Sequence, residues 1–373
     1  MNTPSLACYF EQQYFDIEQA KLFSQAPQYI AHQLMAVNQY DYRSIEWLDH
    51  SKLVYNNGKE HLLIDNICRH RQAIMMKGHG NSQHIVCDLH RWTYNVQGTL
   101  IGAPLFPELP RCKNLTVAPL INWNGLLFKN NRDIQQDLAN LGKFGKYINF
   151  ENYQYSNTVI TDYNFNWKTF MEVYAEDYHV DPYHPGLGNF VDCANLSWNF
   201  GNWHHFQIVP TKNQLTQGGS KLYSDWSKKV LEAHNGDIPE FGAIWMAYYP
   251  NIMIECYPKC IVISVVEPVA PEKCRVITEF YYPDEILGFD EEYVAIQQQV
   301  YFETAKEDDE ICYRMHEGRK ALYRQGKEDF GPYQLPTEEG MKHFHEFLTR
   351  ELAASVLFTQ PSLLSSHHNM LKH

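Results

Sequence analysis

The sequence has no stretch approaching the ~18 consecutive apolar residues that a membrane-spanning helix needs. Its opening, Met1-Asn-Thr-Pro-Ser-Leu-Ala-Cys8, lacks the basic and apolar regions of a secretory leader. Runs of Lys or Arg are also missing: 31 basic residues against 44 acidic ones give a net charge of −13. That balance speaks against nucleic acid and membrane as partners. There is no internal repeat, no low-complexity tract and no G-x-G-x-x-G nucleotide loop, so the chain carries no signature of a dinucleotide site of its own. The nine cysteines, at 8, 68, 87, 112, 193, 256, 260, 274 and 312, are odd in number and scattered. A disulfide framework is therefore not expected. A reduced, cytoplasmic setting fits better, with some cysteines holding metal.

The chain has 373 residues, 44% of them apolar, with 25 Tyr, 20 Phe and 8 Trp, enough for two domains with aromatic-rich cores. Residues 14–35 read as helix, with Phe15, Ile17, Ala20, Phe23 and Ile30 near helical spacing. From about residue 45 to 130 the texture changes to short apolar runs broken by turns such as Asn56-Asn-Gly58 and Val96-Gln-Gly98, the pattern of a small all-β domain. A connecting helix or loop follows over 131–143. Strand-like segments at 158–161, 243–266 and 274–282 then mix with helical ones at 167–178, 290–325 and 338–355. Strands and helices do not alternate, so the fold class is α+β. Cys256 and Cys260 lie in an apolar run and read as ordinary sheet residues. The last dozen residues, 362–373, read as a loose tail.

Two constellations carry chemistry. The first is Cys68-Arg-His70 followed, with sixteen residues between, by Cys87-Asp-Leu-His90. Two Cys and two His suit tetrahedral Zn²⁺, and equally an asymmetric [2Fe–2S] cluster with thiolates on one iron and imidazoles on the other. Common zinc fingers keep like ligands together, whereas here each loop supplies one Cys and one His, so that each reaches both irons. This spacing resembles the Rieske family, with Arg71, Trp92, Tyr94 and Gly98 in matching places. The family's second loop usually reads Cys-Pro-x-His-Gly-Trp, often with Tyr at x. Asp88, Leu89 and Arg91 stand there in this chain, a change that alters loop rigidity and hydrogen bonding around the cluster and leaves its potential open.

The second constellation runs from Asn166-Trp-Lys168 through Glu176 and His179 to His184. On a plain helix His179 and His184 would face apart, since five residues turn it by ~500°, a net 140° or so. Pro182 and Pro185 offer a way out, ending the helix near Asp181 and swinging His184 back. Two imidazoles beside carboxylates form part of a 2-His-1-carboxylate iron site. The third ligand is sought in Lys306-Glu-Asp-Asp-Glu310. An apolar stripe through Tyr301, Ala305, Cys312 and Met315 carries residue 308 with it. Asp308 then points inward, Glu307, Asp309 and Glu310 face water, and Asp309 is the next candidate.

This stretch resembles the catalytic domain of Rieske ring-hydroxylating and demethylating oxygenases, over roughly residues 15–350. The resemblance implies a helical segment over 1–40 packing on the catalytic domain, a Rieske domain over 41–145, and a catalytic domain with an antiparallel sheet over 146–373. It implies a [2Fe–2S] cluster on Cys68, His70, Cys87 and His90, and mononuclear Fe(II) on His179, His184 and Asp308. Glu176 takes the acidic position that carries electrons between subunits of a homotrimer. Glu at that position resembles members that oxidise carnitine and glycine betaine. O₂ and a small organic substrate are the reactants, the substrate being either an aromatic or apolar compound or an N-methylated or cationic one. A separate NAD(P)H- and flavin-dependent reductase, with or without a ferredoxin, supplies the electrons. Two other readings stay open at this point: an electron carrier, which needs only the first ~140 residues, and a zinc hydrolase, which needs no redox cluster.

Overall fold

Apolar alternation and turn residues divide the chain into two β-rich blocks. The computed structural model describes residues 4–129, 132–215 and 219–352; the tail at 362–373 lies outside them. One compact unit spans Pro27–Ile134, and the other joins the segment ahead of it to the chain from Gln135 onward.

The smaller unit is all β. Strands His79–Asn81, Asp41–Ser44, Lys52–Asn56, His61–Asp65 and Val117–Pro119 form one antiparallel sheet in that order. Its central hairpin turns at Asn57-Gly58, where Gly58 has φ +89° and Asn57 Oδ1 accepts the amides of Lys59 and Glu60. A three-stranded sheet of Ile85–Val86, Thr93–Tyr94 and Leu100–Gly102 closes over a core that includes Leu53, Tyr55, Ile64, Trp92 and Tyr94. The unit starts earlier than the sequence suggests. The expected helix over 14–35 stops at Phe23, because Pro27 cannot continue it and restricts Ala26. Tyr29–His32 is instead a strand paired with Leu126–Phe128. The units accordingly part at 26/27 and 134/135, rather than at 40/41 and 145/146.

In the larger unit seven antiparallel strands form one sheet: β1 Tyr153–Tyr163, β2 Ser197–Gly201, β3 His204–Pro210, β4 Phe241–Tyr248, β5 Ile252–Tyr257, β6 Cys260–Ala270 and β7 Lys273–Pro283. The spatial order is β1-β7-β6-β5-β4-β3-β2, so β5 is central. Its helices include α1 Trp167–Tyr174, α2 Val180–Tyr183, α3 Lys221–Ala233, α4 Glu291–Arg324 and α5 Glu339–Leu352. Alternation along β5 sends Met253, Glu255 and Tyr257 to one face, and that face meets α4 across a cavity. Cys256 and Cys260 are buried sheet residues.

Candidate active site

Asn166 caps α1, its side-chain oxygen accepting the Lys168 amide at 2.9 Å. Trp167 and Lys168 are fully buried and both bind Glu18, through Nε1 at 2.8 Å and Nζ at 2.6 Å. One turn on, the buried Glu172 takes Arg319 at 2.6 Å, His345 Nε2 at 2.9 Å and the Tyr9 hydroxyl. Burial alone raises the Glu172 pKa, but Arg319, His345 and Tyr9 overcome it and hold the carboxyl at about 2. These contacts fix the N-terminal segment, α1, α4 and α5 as one block, and with it the point at which α1 delivers the chain to the site.

That point comes earlier than expected. α1 ends at Tyr174 rather than near Asp181. Glu176 turns the chain by accepting the amides of Tyr178, at 2.5 Å, and His179, at 3.2 Å. The single-turn α2 then runs from His179 as its N-cap to His184 as its C-cap. Pro182 sits within its first turn, where an amide N–H has no helical partner to lose. The two imidazoles, at opposite ends of this turn, have centroids 5.0 Å apart. Beyond them Gly186 lies so close to Tyr223 that a Cβ there would meet the ring at 2.1 Å.

α4 completes the group. Asp308 Oδ1 lies 3.3 Å from His179 Nε2 and 3.0 Å from His184 Nε2. One ligand atom from each of the three residues falls within 4.8 Å of the others. The remaining ring nitrogens are held by two further carboxylates: Glu176 accepts from His179 Nδ1, and Glu307 from His184 Nδ1 at 2.7 Å. Each imidazole thus has Nδ1–H held by a carboxylate and Nε2 turned to the shared point, the orientation in which a metal would replace the proton on Nε2. Burial opposes protonation of His179, yet Asp308 and Glu176 push its pKa up to about 10. Burial likewise raises Asp308, but hydrogen bonds from His179 and His184 hold it below the usual carboxylate range. The pocket is electrostatically made for a cation, and iron fits it. Glu307 does not face water as expected, because its side chain folds back onto His184. Nor does Asp309, which hydrogen-bonds Tyr163 and is raised to about 6 by burial. Glu310 is exposed.

A cavity of ≈ 110 Å³ opens onto His179, His184 and Asp308. Its wall is aromatic and apolar, with Tyr174, Trp245, Tyr257 and Tyr301 among its residues, and its acidic members are Glu176, Asp177, Glu255 and Asp308. Among the described residues no Lys or Arg lines it. Asp177 is raised to about 8 by burial and by Glu176 beside it. Glu255 was not singled out from the sequence. A lone acid in the apolar run Ile252–Tyr257 is the signal that marks it, since such residues are rarely buried without a purpose.

In the smaller unit the two Cys-His loops close in the same way. The Cys68 amide donates to the Ala73 carbonyl and the Cys68 carbonyl accepts the Gln72 amide, while Cys87 does the same with Trp92 and Arg91. Gln72 and Arg91 both take left-handed φ, +56° and +57°. Arg91 therefore adopts the conformation that favours glycine. Cys68 and Cys87 are buried, His70 is half-buried and His90 is exposed, with the imidazole centroids 4.7 Å apart. His70 Nδ1 is buried with no hydrogen-bond partner, an orphan that a metal ion satisfies. Cys inside and His outside suit a [2Fe–2S] cluster with its His-bound iron toward the surface. The Tyr94 hydroxyl, which accepts the Arg69 amide at 3.2 Å, lies 3.9 Å from Cys68 Sγ. A tyrosine hydroxyl is thus present near a sulfur despite Leu89.

Known proteins agree with this geometry. Residues 28–113 match the family model of the Rieske [2Fe-2S] domain, and residues 150–354 match that of the ring hydroxylating alpha subunit, catalytic domain. The chain belongs to the Rieske oxygenases. Putrescine 2-hydroxylase of Ralstonia nicotianae is 46% identical over 345 residues, 92% of this chain and 94% of that one. The putrescine 2-hydroxylase of Bordetella bronchiseptica is 42% identical over 360 residues, 92% of this chain and 83% of that one. The solved quaternary ammonium Rieske monooxygenase CntA, in complex with L-carnitine, superposes with a TM-score of 0.71 at 17% identity, covering 94% of this chain and 95% of CntA. This Rieske oxygenase is an iron-dependent oxidoreductase with a [2Fe–2S] cluster and a mononuclear iron. The electron-carrier and zinc-hydrolase readings fall with that membership. Alpha subunits of its kind work with separate electron-donating components and oligomerise. Among the described residues no helix is long and apolar enough to cross a membrane.

Proposed function

We propose that this Rieske oxygenase hydroxylates a small aliphatic amine, a diamine of the putrescine class above all. The observation that carries the reading is the cavity beside His179, His184 and Asp308, walled by aromatic rings and four acidic side chains, with no Lys or Arg among the described residues that line it. Such a wall attracts a cation and repels an aromatic acid. The two putrescine 2-hydroxylases among the relatives point the same way.

In this reading Cys68 and Cys87 bind one iron of the cluster, His70 and His90 the other, and His179, His184 and Asp308 hold the mononuclear Fe(II). When bound, the two centres supply electron transfer and O₂ activation. The chain's own residues position and exclude. Glu176 and Glu307 orient the imidazoles, and the aromatic wall keeps bulk water from the reacting carbon. Overall, a C–H bond breaks and a C–O bond forms. One oxygen atom of O₂ enters the product and the other leaves as water, with two electrons and two protons consumed. A cytoplasmic NAD(P)H- and flavin-dependent reductase, directly or through a ferredoxin, delivers those electrons. The working form is a homotrimer in which Glu176 links the cluster of one subunit to the iron of the next.

The test is reconstitution with a compatible reductase, following O₂ uptake and product mass together. Putrescine and related amines are expected to gain one oxygen atom. Conversion of an aromatic acid or ether, with no product from any amine, would overturn the reading.

A further inference from the structure

Glu255 is the one carboxylate of the cavity wall that neither faces the metal group nor stands beside its ligands in sequence. It sits on the central strand β5, opposite Trp245 of β4 and Val262 of β6, and is 3% exposed. Tyr257 donates its hydroxyl to Oε2, and Tyr301, from α4, donates to Oε1 at 3.1 Å. Trp245 Nε1 in turn donates to the Tyr257 hydroxyl at 2.9 Å. The acid is thus held in one orientation from both sides of the cavity. No Lys, Arg or His accompanies it: the groups acting on it are burial, the two tyrosines and the negative charge of Asp308.

A buried carboxylate costs several kcal/mol to keep charged unless a cation joins it. Burial is the leading influence here, pushing the Glu255 pKa up to about 7 despite its two tyrosine hydrogen bonds. Proteins rarely carry such a group in the middle of a sheet without a partner. Among the described residues none supplies that cation, and the carboxylate lines the cavity, where a ligand can reach it.

We propose that Glu255 is the ammonium anchor of this enzyme, binding a primary ammonium group of the substrate with the Tyr257 and Tyr301 hydroxyl oxygens as neighbouring acceptors. The proposal rests on the amine-hydroxylase reading above and adds which residue recognises the amine and which kind of amine it prefers. A primary ammonium has three N–H donors, and the free lone pairs of the Glu255 oxygens and the two phenol oxygens offer matching acceptors. A quaternary ammonium has no N–H and gains only charge and ring-face contact, leaving those acceptors unmet. Selection follows from that difference, because a site built to hydrogen-bond an N–H rejects the analogue that lacks it. Glu255 also fixes distance, holding the charged end so that a carbon farther along the chain lies toward His179, His184 and Asp308.

The experiment compares the wild-type holoenzyme and Glu255→Gln, both checked for cluster spectrum and iron content, on 1,4-diaminobutane, butan-1-amine, their uncharged isosteres butane-1,4-diol and butan-1-ol, and choline. KM is measured where product forms and the inhibition constant where it does not. Wild type is expected to favour each amine over its alcohol, and Glu255→Gln to raise the amine values by about 30-fold or more, as loss of one partner of a buried charge pair does. The alcohol values should stay within about 3-fold, so that the preference disappears. An iron-replete Glu255→Gln enzyme that keeps its amine preference overturns the anchor and leaves the amine reading standing. A wild-type enzyme that yields no product from either amine overturns the amine reading, and the anchor with it. Choline handled as well as butan-1-amine overturns the preference for primary ammonium. Should Glu255→Gln fail to load iron, Tyr301→Phe takes its place: it removes one acceptor without changing charge. A rise of about 3- to 10-fold in amine KM with alcohols unmoved is then expected, and no rise overturns the proposal.

Discussion

The residues that set the behaviour of the iron site lie one hydrogen bond behind it. Glu307 holds the Nδ1 proton of His184 at 2.7 Å and so aims Nε2 at Asp308. Glu307→Gln should weaken iron binding about 10- to 100-fold, measured by iron retention during titration with a chelator, while the cluster's electron paramagnetic resonance signal stays intact. Asp308→Ala should empty the mononuclear site with that signal unchanged, and Asp309→Ala should keep both centres. If Asp309→Ala loses iron and Asp308→Ala does not, the ligand assignment on α4 is wrong. These residues were unequally legible. His179, His184 and Asp308 were visible through residue type, spacing and helical phase. Glu307 was assigned to water because periodicity gives the direction of a Cα–Cβ bond, whereas a glutamate has two more rotatable bonds with which to fold back. Tyr94 was noticed as a neighbour of the second loop, but its approach to Cys68 depends on a cross-strand fold that no local pattern encodes.

Among elements, α4 was readable and the N-terminal region was not. The 34-residue helix Glu291–Arg324 keeps helical periodicity through its acidic run. The segment over 14–35 also looks helical until Pro27, after which Tyr29–His32 becomes a strand because its partner, Leu126–Phe128, lies far away in sequence. Long-range pairing overrides local preference there. The same block contains the Glu172 network, which ties α1 to Tyr9, Arg319 and His345. Arg319→Met leaves a buried carboxylate without its main counter-charge and should destabilise the larger unit by about 3 kcal/mol. The check is the denaturant midpoint of unfolding followed by tryptophan fluorescence, which does not depend on bound metal. The pH dependence has a definite sign. Glu172 is depressed to about 2 in the folded protein against ~4.3 in an unfolded chain, so its stabilisation is present above that unfolded value. It is lost as pH falls through the window down to about 2. The difference between wild type and Arg319→Met should therefore be full near neutral pH and shrink in acid. A constant difference down to pH ~2.5 would remove the charge explanation.

For the whole molecule, the prediction concerns electrons crossing between subunits. Cys87→Ser chains lack a working cluster and Asp308→Ala chains lack the catalytic iron, so each homo-oligomer should be inactive. Co-expressed and purified as mixed oligomers, they should recover a substantial part of turnover, because a subunit with iron then sits beside one with a cluster. No recovery in mixed oligomers that carry both centres would place electron transfer within a single chain. The two-domain plan and its chemistry were legible because metal-ligand motifs are local. The insertion of Pro27–Ile134 between two stretches of the larger unit's sequence was implied only by the family resemblance, since nothing in residues 4–26 themselves advertises that their partners come so much later.

That insertion bears on how the protein is made. Tyr9 and Glu172 bond across a separation of 163 residues, with the whole cluster-bearing unit translated between them. At ~10 residues per second, a ribosome needs a quarter of a minute or so to cover that interval. The first residues, including Leu6, Tyr9 and the buried Glu18, must wait without a core to join. The smaller unit, complete by residue 134, meets no such delay. It reaches its full length while most of the larger unit is still to be translated.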